Sequence, residues 1–110
     1  MAVYTNNLIV YTGTNFEQTF VLEDDYGPFD LTGYSTIAKF KKAEGSSTAT
    51  SFTSSITQAT GGRLRIQLSQ TETSALKAGR YLFDVFIYKD DVNTKVLEGE
   101  VIVKKSVTRY

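Results

Sequence analysis

Acidic side chains are the residues of this chain with the clearest capacity for chemistry, and two groups of them lie at predicted turns. Glu23-Asp24-Asp25 comes just before Gly27-Pro28, and carboxylate oxygens at such a turn are ligands that calcium prefers. Asp90-Asp91 is a second group of the same kind. Neither group has the spacing of an EF-hand loop, so we interpret both as solvated turns and expect no bound metal.

Asp84 is a third acidic candidate, because it interrupts an otherwise apolar strand. A carboxylate is costly to bury unless it is paired, so Asp84 is either a functional acid or half of an ion pair. The ion pair is the favoured interpretation. Its available partners are Arg63, Arg65 and Arg80.

The residue types needed for common catalytic sites are missing from the sequence. The chain has no cysteine and no histidine, which excludes the usual zinc sites, Cys–His pairs, the Ser-His-Asp triad and disulfides. Ser69 has no accompanying base, and we expect it to cap a helix rather than to act as a nucleophile. The sequence therefore predicts a protein that is not an enzyme and that uses no cofactor.

Binding to nucleic acid or to membranes is not expected either. Arg63 and Arg65 share one strand face, but 12 basic residues are balanced by 12 acidic ones, which is a poor footprint for nucleic acid. No segment has the roughly 20 apolar residues needed to span a bilayer. The N-terminal residues 1–13 lack the pattern of a signal peptide, so synthesis and folding are expected in the cytoplasm. Zero net charge also leaves little repulsion between copies, which is compatible with self-assembly.

The candidate residues named above are expected to lie on strands or on the turns between them, because the dominant period of the apolar side chains is two. With 110 residues the chain is long enough for one domain, residues 1–110. Strands are predicted at residues 8–10, 15–22, 35–41, 63–68, 81–88 and 94–103, with a weak edge strand at 50–58 and a loop or edge strand at 43–51. Gly99 falls inside the last strand and indicates a bulge or a close backbone approach.

Residues 64–88 contain the most informative unit of the chain. Ser69 and Glu72 form a capping-box signature for a helix of one or two turns, which Ala78-Gly79 ends. The strand that follows is apolar on both faces, which favours a central place in its sheet. In total the pattern predicts an all-β, immunoglobulin-like β-sandwich of seven to eight antiparallel strands with one short helical turn.

Several motifs occur in an order that suggests a family. They are NFEQTFVL at 15–22, GPFDLTGY at 27–34, GRLRIQLS at 62–69, Glu72-Thr73, GRYLFDV at 79–85 and LEGEVIV at 97–103. Together they resemble the immunoglobulin-like N-terminal domain of bacteriophage baseplate upper proteins and related small tail or virion structural proteins. The resemblance implies a non-enzymatic structural or docking part of a virion, in the tail or baseplate, whose partners are other virion proteins.

Contacts with those partners are expected at strand edges and apolar patches, with symmetric copies forming a homo-oligomer. We expect them at the weak strand around Phe52 and Ile56 and at the two termini, at Tyr4 and Tyr110. The alternative is a carbohydrate- or host-surface-binding module. That alternative predicts a concave patch in which some of the seven tyrosines lie beside Asp or Asn.

Overall fold

The computed structural model describes residues 3–42 and 49–108, which form strands and one short helix. The strands are β1 (Tyr4–Thr5), β2 (Leu8–Tyr11), β3 (Phe16–Val21), β4 (Glu23–Asp24), β5 (Gly27–Pro28), β6 (Ser35–Lys42), β7 (Thr50–Ser51), β8 (Thr53–Gln58), β9 (Arg63–Leu68), β10 (Gly79–Lys89) and β11 (Val92–Lys104). The helix α1 spans Gln70–Ser74. Most of the loop or strand predicted at 43–51 lies outside the described residues.

Two sheets account for most of the strands. The front sheet has the order β1-β11-β10-β6-β7, with β2 also paired to β11, and the back sheet has the order β3-β9-β8. The back sheet thus matches strands B, E and D of an immunoglobulin sandwich, and the centre of the front sheet matches strands C, F and G. The predicted all-β, immunoglobulin-like sandwich is confirmed.

The front sheet is mixed, whereas the sequence predicted antiparallel strands. Both β1 and β2 run parallel to β11, with Tyr4 opposite Leu97 and Leu8 opposite Val101. Alternating burial identifies the inward face of a strand but carries no information on the direction of its neighbour. The parallel edge is therefore a feature that the residue pattern could not supply.

The core lies between the two sheets and forms one cluster of buried side chains. In β9 the inward residues are Leu64, Ile66 and Leu68, as predicted. In β10 they are Tyr81, Phe83, Val85 and Ile87, also as predicted. The central place of β10 is confirmed too, since it pairs with β6 on one side and with β11 on the other.

The helix α1 connects β9 to β10 across the end of the sandwich. Its capping box is confirmed: the Glu72 amide donates to Ser69 Oγ at 3.2 Å, and the Ser69 amide donates to Glu72 Oε1 at 2.9 Å. The helix ends at Ser74, before the Ala78-Gly79 pair that was predicted to end it. The Tyr81 hydroxyl then donates to the carbonyl oxygen of Lys77 at 2.9 Å, the tyrosine corner of many immunoglobulin-like domains.

Candidate functional site

Phe52 is part of the core and is not available for contacts with a partner. It is 4% exposed, and its ring lies 4.6 Å from that of Phe40 and 6.3 Å from that of Phe83. The predicted strand at 50–58 in fact changes sheets at this residue, since β7 pairs with β6 and β8 pairs with β9. A chain that crosses between two packed sheets buries the side chain at the crossing, which is why the predicted interface role of Phe52 is wrong.

The other predicted contact residues have different surroundings. Ile56 is half-buried and packs against the core from β8. Tyr4 is exposed on β1, and its hydroxyl donates to the carbonyl oxygen of Glu23 at 3.1 Å. Tyr110 lies outside the described residues. For Ile56, Tyr4 and Tyr110 an interface role stays a prediction.

The acidic residues of both groups belong to tight hairpin turns. Oδ1 of Asp24 accepts the amide of Tyr26 at 2.8 Å, which stabilises the β4–β5 hairpin. Asp90 and Asp91 have φ of 50° and 64°, the left-handed geometry of a two-residue hairpin turn between β10 and β11. In residues 3–42 and 49–108 no three potential metal ligands come together.

Asp84 lies on the outer side of the front sheet, where it is only half-buried. Its Oδ2 is 3.9 Å from Nζ of Lys95, which also contacts Oε1 of Glu98 at 2.7 Å. The hydrogen bond to Glu98 raises the pKa of Lys95 above its ordinary value. An ion pair was expected, but its partner is a lysine, because the side chains of Arg63 and Arg65 belong to the back sheet and Arg80 pairs with Glu100 at 3.1 Å.

The tyrosines are spread over several parts of the fold. Tyr26 is almost fully exposed in the β4–β5 hairpin, whereas Tyr81 is buried. Tyr34 packs on Phe29, with the Lys89 ammonium 5.3 Å from the centre of its ring. Neither of the two surface depressions described below is lined by a tyrosine among the described residues.

The outer face of the front sheet carries most of the exposed apolar side chains on strands, and we call it the front face. Its apolar members are Ile9, Tyr11, Ile37, Leu82, Phe86, Tyr88 and Ile102. Register brings them together, since Ile37 lies opposite Phe86 and Ile9 lies opposite Ile102. Leu82, Ile37 and Tyr88 are about two-fifths exposed, at 39%, 43% and 43%.

Charged side chains of both signs also lie on the front face. On β6, Lys39 lies opposite Asp84 of β10 and Lys41 lies opposite Leu82. Glu98 of β11 contacts Lys95 at 2.7 Å, and Glu100 contacts Arg80 at 3.1 Å. The acidic side chains of β11 are thus ion-paired within the chain.

A shallow depression of about 730 Å³ lies on the front face, with Leu82, Lys39 and Glu98 among its lining residues. A second depression, of about 620 Å³, lies at the end of the sandwich beside α1, where Gln70, Lys77 and Lys105 line it. The first is continuous with the apolar side chains of the front face. The second is lined mainly by small and polar residues.

The outer face of the back sheet is polar in comparison. Its rows consist of Glu17, Gln67 and Thr53, then Thr19, Arg65 and Ser55, then Val21, Arg63 and Gln58. Val21 is its one large exposed apolar side chain among the described residues. Of the two outer faces, the front face is thus the better candidate for a contact surface.

The sequence contained a signal for the front face. Leu82, Phe86 and Tyr88 alternate with the inward residues of β10, and Ile37 points away from Ala38 and Phe40. An apolar second face indicates a central strand, which is confirmed for β10, and it also indicates an outer surface with unusual apolar content. We did not predict that second consequence.

Comparison with known proteins adds little to this description. No protein-family model and no curated protein matches the chain. Among solved structures the chain is similar to InlP of Listeria monocytogenes, with a TM-score of 0.49 and 12% identity over 90% of this chain and 26% of InlP. It is also similar to a structure from photo-crosslinking analyses of multimeric cell-adhesive interactions of VGSC beta subunits, with a TM-score of 0.46, 13% identity and coverage of 94% and 93%.

The chain therefore spans about a quarter of the length of InlP. Likenesses of this degree support no conclusion on function, and the fold class follows from the strand order and the Tyr81 corner of the chain itself. In the part of the chain that the structure describes, no helix is long and apolar enough to cross a membrane.

Proposed function

We propose that this chain is a non-enzymatic structural module of a bacteriophage particle, in the tail or baseplate, and that it assembles through its front face. The observation that carries the docking role is the contrast between the two outer faces. The front face exposes Ile37, Leu82 and Tyr88 on the same face as two ion pairs, Arg80 with Glu100 and Lys95 with Glu98, whereas the outer face of the back sheet is polar. Apolar patches rimmed by charges are typical of protein–protein contact surfaces.

The phage context is supported by the resemblance of motifs across residues 15–103. These motifs coincide with structural positions that define the sandwich: β3, the turn at β5, β9 with the α1 cap, the Tyr81 corner and β11. Motifs at positions that determine the fold support a structural relationship with the phage domains. The front face is the proposed surface through which this fold contacts its partners.

The proposal is tested on phage particles produced by cells that carry this gene. Mass spectrometry of purified particles and immunogold labelling are expected to find the protein at the tail or baseplate. A variant with Leu82→Asp on the front face is expected to fold but to be absent from particles. A matched variant, Thr19→Asp on the back sheet, is expected to be incorporated normally.

The result that would overturn the proposal is a protein absent from purified particles and confined to the cell. Glycan binding by a protein that stays strictly monomeric at high concentration would also overturn it, in favour of the carbohydrate-binding alternative. Mass photometry together with a glycan array distinguishes that outcome. Incorporation of both variants at the wild-type level would show that assembly does not depend on the front face.

A further inference from the structure

We propose that the partner of the front face is an acidic segment of another protein, which places two carboxylates against Lys39 and Lys41 and an apolar side chain against Leu82. The inference rests on the proposed assembly role and names the chemistry of the partner. Three observations support it: the excess of positive charge on the front face, the internal pairing of its acidic side chains, and the position of the two lysines beside Leu82.

The front face carries more positive than negative charge, although the chain as a whole is neutral. Burial alternates along β6, β10 and β11, and the strand register identifies the charged residues that point outward on these strands. Five are basic and three are acidic: Lys39, Lys41, Arg80, Lys95 and Lys104, against Asp84, Glu98 and Glu100. Two copies brought face to face would place like net charge against like, whereas an acidic partner is attracted.

The acidic side chains of the front face are already engaged within the chain. Both outward glutamates of β11 are ion-paired, at 2.7 Å and 3.1 Å, to basic side chains of the same face. Asp84 lies opposite Lys39 in the register, but its Oδ2 pairs with Nζ of Lys95, at 3.9 Å. In the described part of the chain, no carboxylate oxygen lies within 4.0 Å of Nζ of Lys39 or Lys41. The two lysines are therefore available to the carboxylates of a partner.

The position of these lysines defines the spacing that a partner must match. Lys39, Lys41 and Leu82 line the same depression of about 730 Å³. The lysines are two residues apart on β6, which separates their Cα atoms by roughly 7 Å, and Leu82 lies opposite Lys41 on β10. Carboxylates at alternate positions of an extended segment have the same spacing. An apolar neighbour in that segment can cover Leu82, which is 39% exposed.

A chain of phosphates fits the front face less well than a peptide. Glu98 and Glu100 line the same depression as the two lysines, so a nucleic acid would bring its closely spaced phosphates near these carboxylates. A peptide alternates its carboxylates with uncharged residues. It can therefore reach the lysines without presenting negative charge to the glutamates.

Charge reversal combined with cross-linking tests the inference on purified phage particles. Carbodiimide joins a lysine amine to a carboxylate in contact with it, so mass spectrometry of treated particles is expected to find Lys39 or Lys41 linked to Asp or Glu of another virion protein. Lys39→Glu with Lys41→Glu is expected to lower the number of copies per particle by about tenfold or more, because like charges then meet in the interface. Lys39→Arg with Lys41→Arg keeps both charges and is expected to be incorporated normally.

Compensation in the partner makes the test specific. Replacing the cross-linked Asp or Glu residues of the partner with lysine is expected to restore incorporation of the variant with Lys39→Glu and Lys41→Glu. The matched control, Arg63→Glu with Lys77→Glu, reverses two exposed basic residues outside the front face and is expected to be incorporated like the wild type. Circular dichroism checks that every variant is folded.

Three outcomes would overturn the inference while the protein is present in particles. They are links from the two lysines to a second copy of this chain, normal incorporation of the reversed variant, and reduced incorporation without any link to a carboxylate, which would indicate another acceptor such as nucleic acid. Wild-type protein that is absent from particles would overturn the proposed function and this inference together. The two failures are therefore distinguishable.

Discussion

At the scale of single residues, Tyr81 makes one hydrogen bond that is typical of immunoglobulin-like domains. Its ring is buried in the core, where it lies 5.6 Å from the ring of Phe40, and its hydroxyl donates to the carbonyl oxygen of Lys77. The bond anchors the connection that leads from α1 into β10. The hydrogen bond between Tyr81 and Lys77 thus stabilises this end of the sandwich.

Removing this hydroxyl is expected to destabilise the fold. Tyr81→Phe keeps the ring and leaves the Lys77 carbonyl without its donor, so the free energy of unfolding should fall by about 1 kcal/mol. Tyr88→Phe is the control, because Tyr88 is exposed on the same strand. Urea unfolding of both variants checks the prediction, and equal effects of the two substitutions would contradict it.

Asp30 is the residue whose acid–base behaviour is most clearly set by its neighbours. Its carboxylate accepts a hydrogen bond from the Thr32 hydroxyl at 2.6 Å and another from the Thr32 amide at 2.9 Å. These two bonds, the hydroxyl first, hold the pKa of Asp30 below its ordinary value of 3.8. These hydrogen bonds in the turn between β5 and β6 therefore favour the ionised form of Asp30.

Thr32→Val is expected to raise the pKa of Asp30 towards 3.8, because the larger of the two hydrogen-bond effects is removed. Because the pKa of Asp30 is lower in the folded state than in the unfolded state, ionised Asp30 stabilises the fold at pH values above its unfolded pKa. This stabilisation is lost as the pH falls through the folded pKa. NMR titration of the Asp30 carboxyl carbon in both proteins measures the change. An unchanged midpoint would contradict the prediction, because it would show that the Thr32 hydroxyl does not lower the pKa of Asp30.

At the scale of elements, the N-terminal edge of the front sheet depends on a glycine. Between β1 and β2 the backbone of Asn6 passes over Gly99 of β11, and a Cβ at Gly99 would overlap the Asn6 carbonyl oxygen. The Asn6 amide donates to the carbonyl oxygen of Glu98 at 2.9 Å, which keeps this approach in place. The close approach predicted at Gly99 is confirmed, while the bulge lies nearby, at Val96.

Gly99→Ala is expected to lower the free energy of unfolding by about 2 to 3 kcal/mol, because backbone atoms must separate to admit the methyl group. The control is Gly61→Ala, whose methyl group meets only the end of the Gln58 side chain, which can move aside. Urea unfolding compares the two variants. Hydrogen exchange should show the loss of protection in β1 and β2, and a uniform loss over the whole chain would contradict the local explanation.

Elements whose residues alternate over a long run could be predicted from the sequence. The inward residues of β9 and β10 and the Ser69–Glu72 cap are local properties of consecutive residues, and each is confirmed. The same holds for the hairpin at Asp90-Asp91, where aspartates tolerate the left-handed backbone of a tight turn.

Features that depend on distant partners could not be predicted. The change of sheet at Phe52 follows from its packing against Phe16, Phe40 and Phe83, none of which is near it in sequence. The ion pair of Asp84 with Lys95 requires the register of β10 with β11, which a bulge shifts between Val85 and Phe86. A pattern within one strand contains no information on such alignments.

At the scale of the whole molecule, the two outer faces differ in composition. Both sheets contribute to one core, but most of the exposed apolar side chains on strands lie on the front face. In the proposed role, stability and assembly depend on different sides of the same strand, since alternate residues of β10 point to the core and to the front face.

A matched pair of substitutions on β10 separates the two roles. Val85→Thr buries a hydroxyl at a position with 0% exposure and is expected to lower the free energy of unfolding by about 2 kcal/mol, while the folded protein is still incorporated into phage particles. Leu82→Thr with Tyr88→Thr changes half-exposed residues, so each substitution should cost about 1 kcal/mol or less of the free energy of unfolding. The second variant is expected to fold but to be depleted from purified particles.

Urea unfolding of the purified variants and mass spectrometry of purified particles give both quantities. If the outward variant were incorporated like the wild type, the exposed apolar residues of the front face would have no part in assembly. If the inward variant were absent from particles at temperatures where it is fully folded, the two sides of β10 would be coupled. The expected pattern, stability lost on one side and incorporation lost on the other, follows from the alternation of inward and outward residues along β10.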